Sequence, residues 1–312
     1  MPQGLEPQSA LLFKTLERRD KRLSTDPSAE EKRAVFGRSD LELAPPRREV
    51  ARVHELAIPS GGVRVPVRVY HPRPGNALPV VVWFHGGGHV VGDLQTHDTL
   101  CRTIALDADC AVVNVDYRLA PENPYPAAFD DAYAAACWAS GHGAEFGFDT
   151  GAVMLGGSSA GGGLAAAVAL AARDRRGPPI KHHLMVYPTL DATLSSATYR
   201  TYASGYSYTT AKRSWSRDQY VGGHKDLKDP YLSPLWAATV ERLPPAHIIT
   251  AELDPLRGES EAYARRLIEA GVAVRITRYA GVMHGFFSQS GVLDRGKAAV
   301  AEACEGFRGG ES

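Results

Sequence analysis

Long apolar runs are absent from the sequence. The longest ones, such as residues 78–84, have the length of a β-strand, whereas a membrane-spanning helix needs about 20 apolar residues. The first residues also lack the basic segment followed by an apolar one that marks a secretion signal. We therefore expect a cytoplasmic protein that makes no contact with a membrane.

A surplus of charge of either sign is absent too, because 35 Lys and Arg residues balance 35 Asp and Glu residues. A neutral chain offers no basic surface for nucleic acid. The two glycine clusters, residues 86–88 and 156–163, lack the GxGxxG pattern and the GxxxxGKS or GxxxxGKT pattern of nucleotide sites. We therefore expect a small-molecule partner, with neither a cofactor nor nucleic acid.

Cysteine is scarce and shows no pattern. The four cysteines lie in apolar segments without CxxC or CxxxC spacing, and they are Cys101, Cys110, Cys137 and Cys304. Such surroundings favour buried free thiols over disulfides or metal ligands. We expect no metal site and a reducing compartment.

Strand and helix patterns alternate along most of the chain. Residues 49–58 and 63–70 alternate apolar and polar side chains, which predicts an antiparallel hairpin at a sheet edge. Six mostly apolar runs, typical of parallel strands buried on both faces, follow at residues 78–84, 110–115, 152–155, 182–186, 247–251 and 273–278. Helical patterns separate them at residues 96–108, 127–139, 161–173, 259–270 and 295–307. The alternation predicts an α/β fold with a doubly wound, mostly parallel sheet.

Two segments interrupt this alternation. Residues 1–45 have the pattern of one or two amphipathic helices, and residues 189–242 are far longer than a usual connection and rich in aromatic side chains. We predict that both belong to a cap over the sheet domain, which comprises residues 46–188 and 243–312. An inner face of the cap would line a pocket, for which the candidates are Tyr202, Tyr206, Tyr208 and Trp215. The alternative is a small surface subdomain that packs its aromatic side chains together.

Ser159 is the candidate nucleophile. It lies in the frame Gly157-x-Ser159-x-Gly161, between the apolar run 152–155 and the helical pattern 161–173. A strand, sharp turn and helix with this spacing is the nucleophile elbow, in which the serine stands on a strained turn. The alternative is a glycine-rich turn before an ordinary helix.

A serine hydroxyl needs a base and an acid that orients the base. In folds with this elbow these partners follow in the order serine, acid, histidine. His284 follows the last predicted strand in a glycine-flanked loop, and Asp254 ends the strand pattern 247–251 before a proline. Asp191, just after the preceding strand, is the weaker candidate because it also suits a turn.

The other glycine cluster, in His85-Gly86-Gly87-Gly88, closes the predicted strand 78–84. Glycines without side chains would leave backbone N–H groups open to a substrate carbonyl oxygen, and an oxyanion hole would also use the N–H after the nucleophile. The candidate donors are Gly87, Gly88 and Ala160. A phosphate cradle is the alternative.

Five sequence blocks in this order resemble the hormone-sensitive lipase family of α/β-hydrolases, also called bacterial family IV carboxylesterases. The blocks are HGGG with VGDLQTHD at residues 85–98, DYRLAPE at 116–122, GSSAG at 157–161, DPLR at 254–257 and HGF at 284–286. The resemblance implies an eight-stranded α/β-hydrolase fold with a helical cap. It also implies a serine carboxylesterase acting on short- to medium-chain esters through an acyl-enzyme, without a cofactor. The triad would be Ser159, Asp254 and His284.

Three residues depart from the family pattern. Ser158 replaces Asp or Thr, His89 replaces an aromatic residue, and Gly258 replaces Asp. We interpret His89 as part of the pocket lining.

Two other functions remain open. An amidase or deacylase would use the same triad, and a non-catalytic receptor is the second alternative because plant gibberellin receptors resemble this family. Those receptors lack the catalytic histidine, whereas this chain has His284. Residues 273–278 could also pair with a second copy of the chain in a homodimer.

Overall fold

A single twisted sheet forms the centre of the protein, which a computed structural model describes over residues 3–73, 75 and 77–309. Its strands are β1 (Arg52–Ser60), β2 (Val63–His71), β3 (Leu78–Phe84), β4 (Ala111–Val115), β5 (Phe148–Ser158), β6 (Ile180–Val186), β7 (Ala246–Leu253) and β8 (Val274–Met283). The described residues form one eight-stranded sheet in the order β1-β2-β4-β3-β5-β6-β7-β8. The hairpin β1–β2 lies at one edge, β2 pairs antiparallel with β4, and the strands from β4 to β8 are parallel. The predicted α/β-hydrolase topology is confirmed.

Helices cover both faces of this sheet. They are α1 (Pro7–Asp20), α2 (Ala29–Leu43), α3 (Asp98–Ala108), α4 (Ala127–His142), α5 (Ala160–Asp174), α6 (Thr198–Thr201), α7 (Thr210–Val221), α8 (Arg257–Glu269) and α9 (Asp294–Arg308). Residues of α4, α5 and α8 pack on one face, and those of α3 and α9 pack on the other. Within the described ranges, none of these helices combines the length and apolar character that crossing a membrane requires.

The central strands are apolar on both sides because both faces are covered. In β3, Val80 and Val82 belong to one hydrophobic cluster, while Val81 and Trp83 belong to the other. Successive strand residues point to opposite faces, so this continuous apolar run fills two cores at once. The free thiols of Cys101, Cys110 and Cys304 are buried, and Cys137 is partly buried.

The sequence predicts that the last strand is buried on both faces, but most of β8 is not. Arg275 and Ile276 are exposed, and complete burial begins only near Val282 and Met283. The physical reason is that β8 is the outermost strand and pairs with β7 alone.

A buried carboxylate ties α9 to this edge of the sheet. Glu302 accepts hydrogen bonds from His247 (2.9 Å), Thr277 (2.5 Å) and Tyr279 (2.7 Å). Burial raises the pKa of Glu302, but these hydrogen bonds outweigh the burial and lower the pKa to about 2. The carboxylate therefore contributes stability above the unfolded pKa of about 4.3, and this contribution is lost as the pH falls towards about 2.

We expect Glu302→Gln to lower the free energy of unfolding at pH 7 by about 2 kcal/mol, the scale of hydrogen bonds to a charged group. Urea unfolding at pH 7 and at pH 3 measures this loss, which should shrink at the lower pH. Glu305→Gln is the matched control, since Glu305 is exposed on the same helix. An equal loss at both pH values would contradict a role for the ionised carboxylate.

Candidate active site

Ser159 occupies a strained turn between β5 and α5. Its backbone has φ 55° and ψ −117°, outside the regions that side chains prefer. Its N–H donates to the carbonyl of Val186 (2.8 Å), and its own carbonyl accepts from Gly163 (3.0 Å) and Thr189 (3.1 Å). These bonds hold the conformation, which is the geometry predicted for a nucleophile elbow.

The glycines beside Ser159 are required by close backbone contacts. A Cβ on Gly157 would lie 2.3 Å from the carbonyl oxygen of Gly161, and one on Gly161 would lie 1.9 Å from that of Phe84. Both distances are below any real Cβ contact, so a side chain would push α5 away from β3. The bare backbone brings the first turn of α5 against the end of β3.

His284 lies between Ser159 and Asp254. Its Nε2 is 2.9 Å from the Ser159 hydroxyl oxygen, and its Nδ1 is 2.7 Å from Asp254 Oδ2. Asp254 is fully buried, and its other carboxylate oxygen accepts the N–H of Leu256 at 2.8 Å. With Nδ1–H donating to the carboxylate, Nε2 is free to accept the serine proton.

Asp191, the weaker candidate acid, has a structural role. It is buried and accepts hydrogen bonds from the backbone and side chains of Thr193 and Ser195 and from the indole of Trp236. These bonds satisfy both carboxylate oxygens within the turn after β6. This agrees with its interpretation as a turn residue.

The predicted oxyanion loop has an unusual backbone. Gly87 (φ 118°), Gly88 (φ 64°) and His89 (φ 63°) are all left-handed, and a Cβ on Gly87 would lie 2.0 Å from the carbonyl oxygen of Val91. Ala160 is the first residue of α5, where N–H groups have no helical acceptor. Within the described chain, the N–H groups of Gly87, Gly88 and Ala160 donate to no backbone carbonyl of a turn, loop or helix cap.

A cap residue that the sequence analysis missed holds this loop in place. Arg33 of α2 donates to the carbonyls of Val90 (2.8 Å) and Ala120 (2.9 Å) and forms two bonds to the Glu122 carboxylate (2.8 and 2.7 Å). The planar guanidinium can satisfy these acceptors together. Two of its partners, Ala120 and Glu122, belong to the sequence block at 116–122, but nothing in the sequence pointed to Arg33 itself.

A cavity of about 400 Å³ lies above these residues. Ser159, His284 and residues 86–88 form its floor, and α1, α2 and α7 of the predicted cap contribute to its walls. Two of the predicted pocket residues, Tyr208 and Trp215, line it. The remaining wall residues include Leu16, Phe36, Val91 and Ser216.

Three other predicted pocket residues do not line the cavity. His89 is buried beside it and stacks on Tyr220 with ring centroids 3.6 Å apart. The Tyr202 hydroxyl accepts from Arg257 (3.2 Å), and the Tyr206 hydroxyl donates to a backbone carbonyl near the N-terminus (3.1 Å). Their aromatic character suits packing and hydrogen bonding within the cap, so composition alone did not separate them from Tyr208.

Two tyrosine rings contact the imidazole of His284. The Tyr208 ring stacks on it with centroids 4.3 Å apart and planes 21° apart. Tyr187 meets it at 4.6 Å and 54°. The sequence analysis missed Tyr187, although its position directly after β6, beside the elbow strand, was a usable signal.

One departure from the family pattern, Gly258, has a local explanation, whereas nothing in the structure explains Ser158. Ser158 is buried and lies in the cavity wall. A Cβ on Gly258 would lie 2.0 Å from the hydroxyl of Ser196 and 2.8 Å from that of Thr198. Aspartate therefore does not fit at residue 258 unless Ser196 moves.

Comparisons with known proteins agree with this geometry. A family model described as "alpha/beta hydrolase fold" matches residues 81–288. Esterase LipI of Mycobacterium tuberculosis is 40% identical over 91% of this chain and 89% of its own length. Carboxylic ester hydrolase LipN of the same organism is 43% identical, but the match covers 76% of this chain and 64% of LipN.

A solved structure extends the similarity over almost the whole chain. The hyperthermophilic esterase from the archaeon Pyrobaculum calidifontis superimposes with a TM-score of 0.88 at 40% identity, covering 99% of this chain and 98% of that one. The family match, the relatives and the shared fold agree with the five sequence blocks. The chain belongs to the α/β-hydrolase family, in the group related to hormone-sensitive lipase.

Proposed function

We propose that the protein is a serine carboxylesterase that hydrolyses short- to medium-chain carboxylic esters through an acyl-enzyme on Ser159. The observation that carries this proposal is the unbroken hydrogen-bond chain from Asp254 through His284 to the Ser159 hydroxyl. A buried carboxylate, an imidazole and a serine in this order activate a hydroxyl at neutral pH.

Acylation begins when Ser159 Oγ attacks the ester carbonyl carbon. His284 Nε2, 2.9 Å away, accepts the hydroxyl proton as the new C–O bond forms. The carbonyl oxygen becomes an oxyanion, and the resulting imidazolium is stabilised by Asp254 at 2.7 Å. When the tetrahedral intermediate collapses, His284 returns the proton to the alkoxy oxygen, and the alcohol departs.

Deacylation repeats these steps with water. His284 Nε2 accepts a proton from a water molecule as its oxygen attacks the acyl carbon. The second tetrahedral intermediate then collapses, the bond to Ser159 Oγ breaks, and the proton returns to the serine. The products are the carboxylic acid and a regenerated enzyme, so no co-reactant besides water is required.

The N–H groups of Gly87, Gly88 and Ala160 would stabilise both oxyanions. Two come from the loop after β3 and one from the first turn of α5, whose positive dipole end adds to the field. Fixed donors need no reorganisation as charge develops, and losing one costs about 2.7–4 kcal/mol of barrier in comparable enzymes.

The cap and cavity support the proposed substrate size. Residues 1–45 and 189–242 contribute α1, α2 and α7 to the walls, opposite the sheet domain of residues 46–188 and 243–312. A cavity of about 400 Å³ must hold both the acyl and alcohol parts of an ester. This volume suits short and medium chains.

The alternatives are less well supported. Several relatives are named esterases or ester hydrolases, including an ethyl acetate hydrolase of Pseudomonas putida that is 36% identical over 89% of this chain. A receptor would not need the imidazole that lies within hydrogen-bond distance of Ser159.

We expect Ser159→Ala to lower kcat by several orders of magnitude, because the nucleophile is lost. Hydrolysis of p-nitrophenyl butyrate measures this loss, and labelling by a fluorophosphonate should disappear with it. Ser204→Ala is the control, since Ser204 is exposed on the cap. Equal rates for wild type and Ser159→Ala would refute the proposed nucleophile.

The stacked ring of Tyr208 gives a second prediction. An aromatic face stabilises an adjacent imidazolium by about 1–2 kcal/mol, so Tyr208→Leu should lower kcat by about 5- to 30-fold. Tyr208→Phe keeps the ring, and the hydroxyl it removes has no hydrogen-bond partner in the described chain. Steady-state kinetics should therefore give the Tyr208→Phe variant a kcat close to that of the wild type. Equal kcat values for the two variants would exclude a role for the ring face.

A homodimer through β8 remains a proposal. This strand is the outermost one of the described sheet, and four of residues 273–278 are exposed, namely 273, 275, 276 and 278. Its free backbone edge could pair with a second copy. Sedimentation velocity should then find a species of about twice the 33.6 kDa chain mass. A monomer alone at high micromolar concentration would remove this proposal.

A further inference from the structure

The cavity above Ser159 contains charged cap residues among its apolar walls. They are Arg19, Asp20, Lys32, Asp40 and Lys212. Asp20 pairs with both Arg19 (2.9 Å) and Lys212. Lys32 differs, because no carboxylate of the described residues lies within 4.0 Å of its ammonium group.

The acidic residues around Lys32 are engaged elsewhere or exposed. Asp20, Asp26 and Glu31 are the carboxylates whose charges raise its pKa. Asp20 is shared by two other cations, Glu31 bonds the backbone and hydroxyl of Ser24, and Asp26 is exposed. The cation therefore faces the cavity without a carboxylate partner among the described residues.

The position of Lys32 is well defined. Its Nζ lies 3.0 Å from the centroid of the Trp215 ring, which also lines the cavity. The neighbouring residue Arg33 anchors α2 to the oxyanion loop through Val90 and Ala120. Lys32 is thus held above the same floor that carries Ser159, on an aromatic face that favours a cation.

The environment makes an added negative charge favourable. Burial, followed by the nearby charge of Lys212, lowers the pKa of Lys32 to about 8. At pH 7 the group is still mostly protonated, but it has lost part of its hydration without gaining an ion pair. An anion that enters the cavity would restore that missing interaction.

We propose that Lys32 determines substrate specificity by binding a carboxylate carried by the ester, so that esters with a second, ionised carboxyl group are preferred. This inference rests on the proposed function, since it concerns the substrate of the same cavity. The carboxylate could belong to the acyl part, as in a half-ester of a dicarboxylic acid, or to the alcohol part. The shared chemistry is one anionic group in addition to the scissile ester.

The experiment compares matched substrates that differ by this charge. For the acyl part, monomethyl adipate is compared with methyl hexanoate. For the alcohol part, 4-(butyryloxy)benzoate is compared with phenyl butyrate. Initial rates at constant pH 7 give kcat and KM for wild type, Lys32→Met and Lys32→Arg.

We expect wild type to have a lower KM for the charged member of one pair, and that pair identifies the part that carries the anion. Lys32→Met should raise this KM about tenfold and change the KM for the matched neutral substrate little. Lys32→Arg should restore most of the preference because it keeps the charge. Added salt should weaken the wild-type preference, as expected for an ionic contact.

Lys14→Met is the matched control, because Lys14 is exposed on α1 and does not line the cavity. This variant should have the wild-type kcat and KM for all four substrates. Equal effects of Lys32→Met on charged and neutral substrates, or no charge preference in wild type, would overturn the inference. In either case hydrolysis of the neutral esters would leave the proposed function intact, whereas no hydrolysis of any ester would overturn the function itself.

Discussion

The close approach of α5 to the end of β3 is the contact on which the site depends. A Cβ on Gly161 would lie 1.9 Å from the Phe84 carbonyl oxygen, so only glycine permits this distance. The contact places Ser159 and the N–H of Ala160 beside the loop of Gly87 and Gly88. The proposed nucleophile and the proposed oxyanion donors are thus neighbours because two backbones touch.

Three strand ends then complete the arrangement. The elbow follows β5, Asp254 follows β7 and His284 follows β8, and parallel strands bring their carboxyl ends to one edge. At this edge the His284 imidazole lies 2.9 Å from the Ser159 hydroxyl oxygen and 2.7 Å from the Asp254 carboxylate. Side chains that directly follow the strands of one sheet are positioned more precisely than side chains on long loops.

The cap contributes to the chemistry as well as to the enclosure. Arg33 holds the oxyanion loop, Tyr208 stacks on the imidazole of His284, and Lys32 adds a cation to the cavity. Cap and sheet domain are therefore coupled at the atoms proposed to react. Under the proposals above, substitutions in the predicted cap would change turnover and substrate choice without touching the proposed triad.

The sequence by itself determined the alternation of strands and helices, the elbow, and the choice of Ser159, Asp254 and His284 as the proposed triad. These features depend on local backbone demands and on side-chain periodicity, which short stretches record. The tertiary structure alone decided that Tyr208 and Trp215 face the cavity while His89, Tyr202 and Tyr206 do not, and that Arg33 contacts the loop of Gly87 and Gly88. The physical reason is that the direction of a cap side chain depends on how helices far apart in sequence pack over the sheet, and no local pattern encodes that packing.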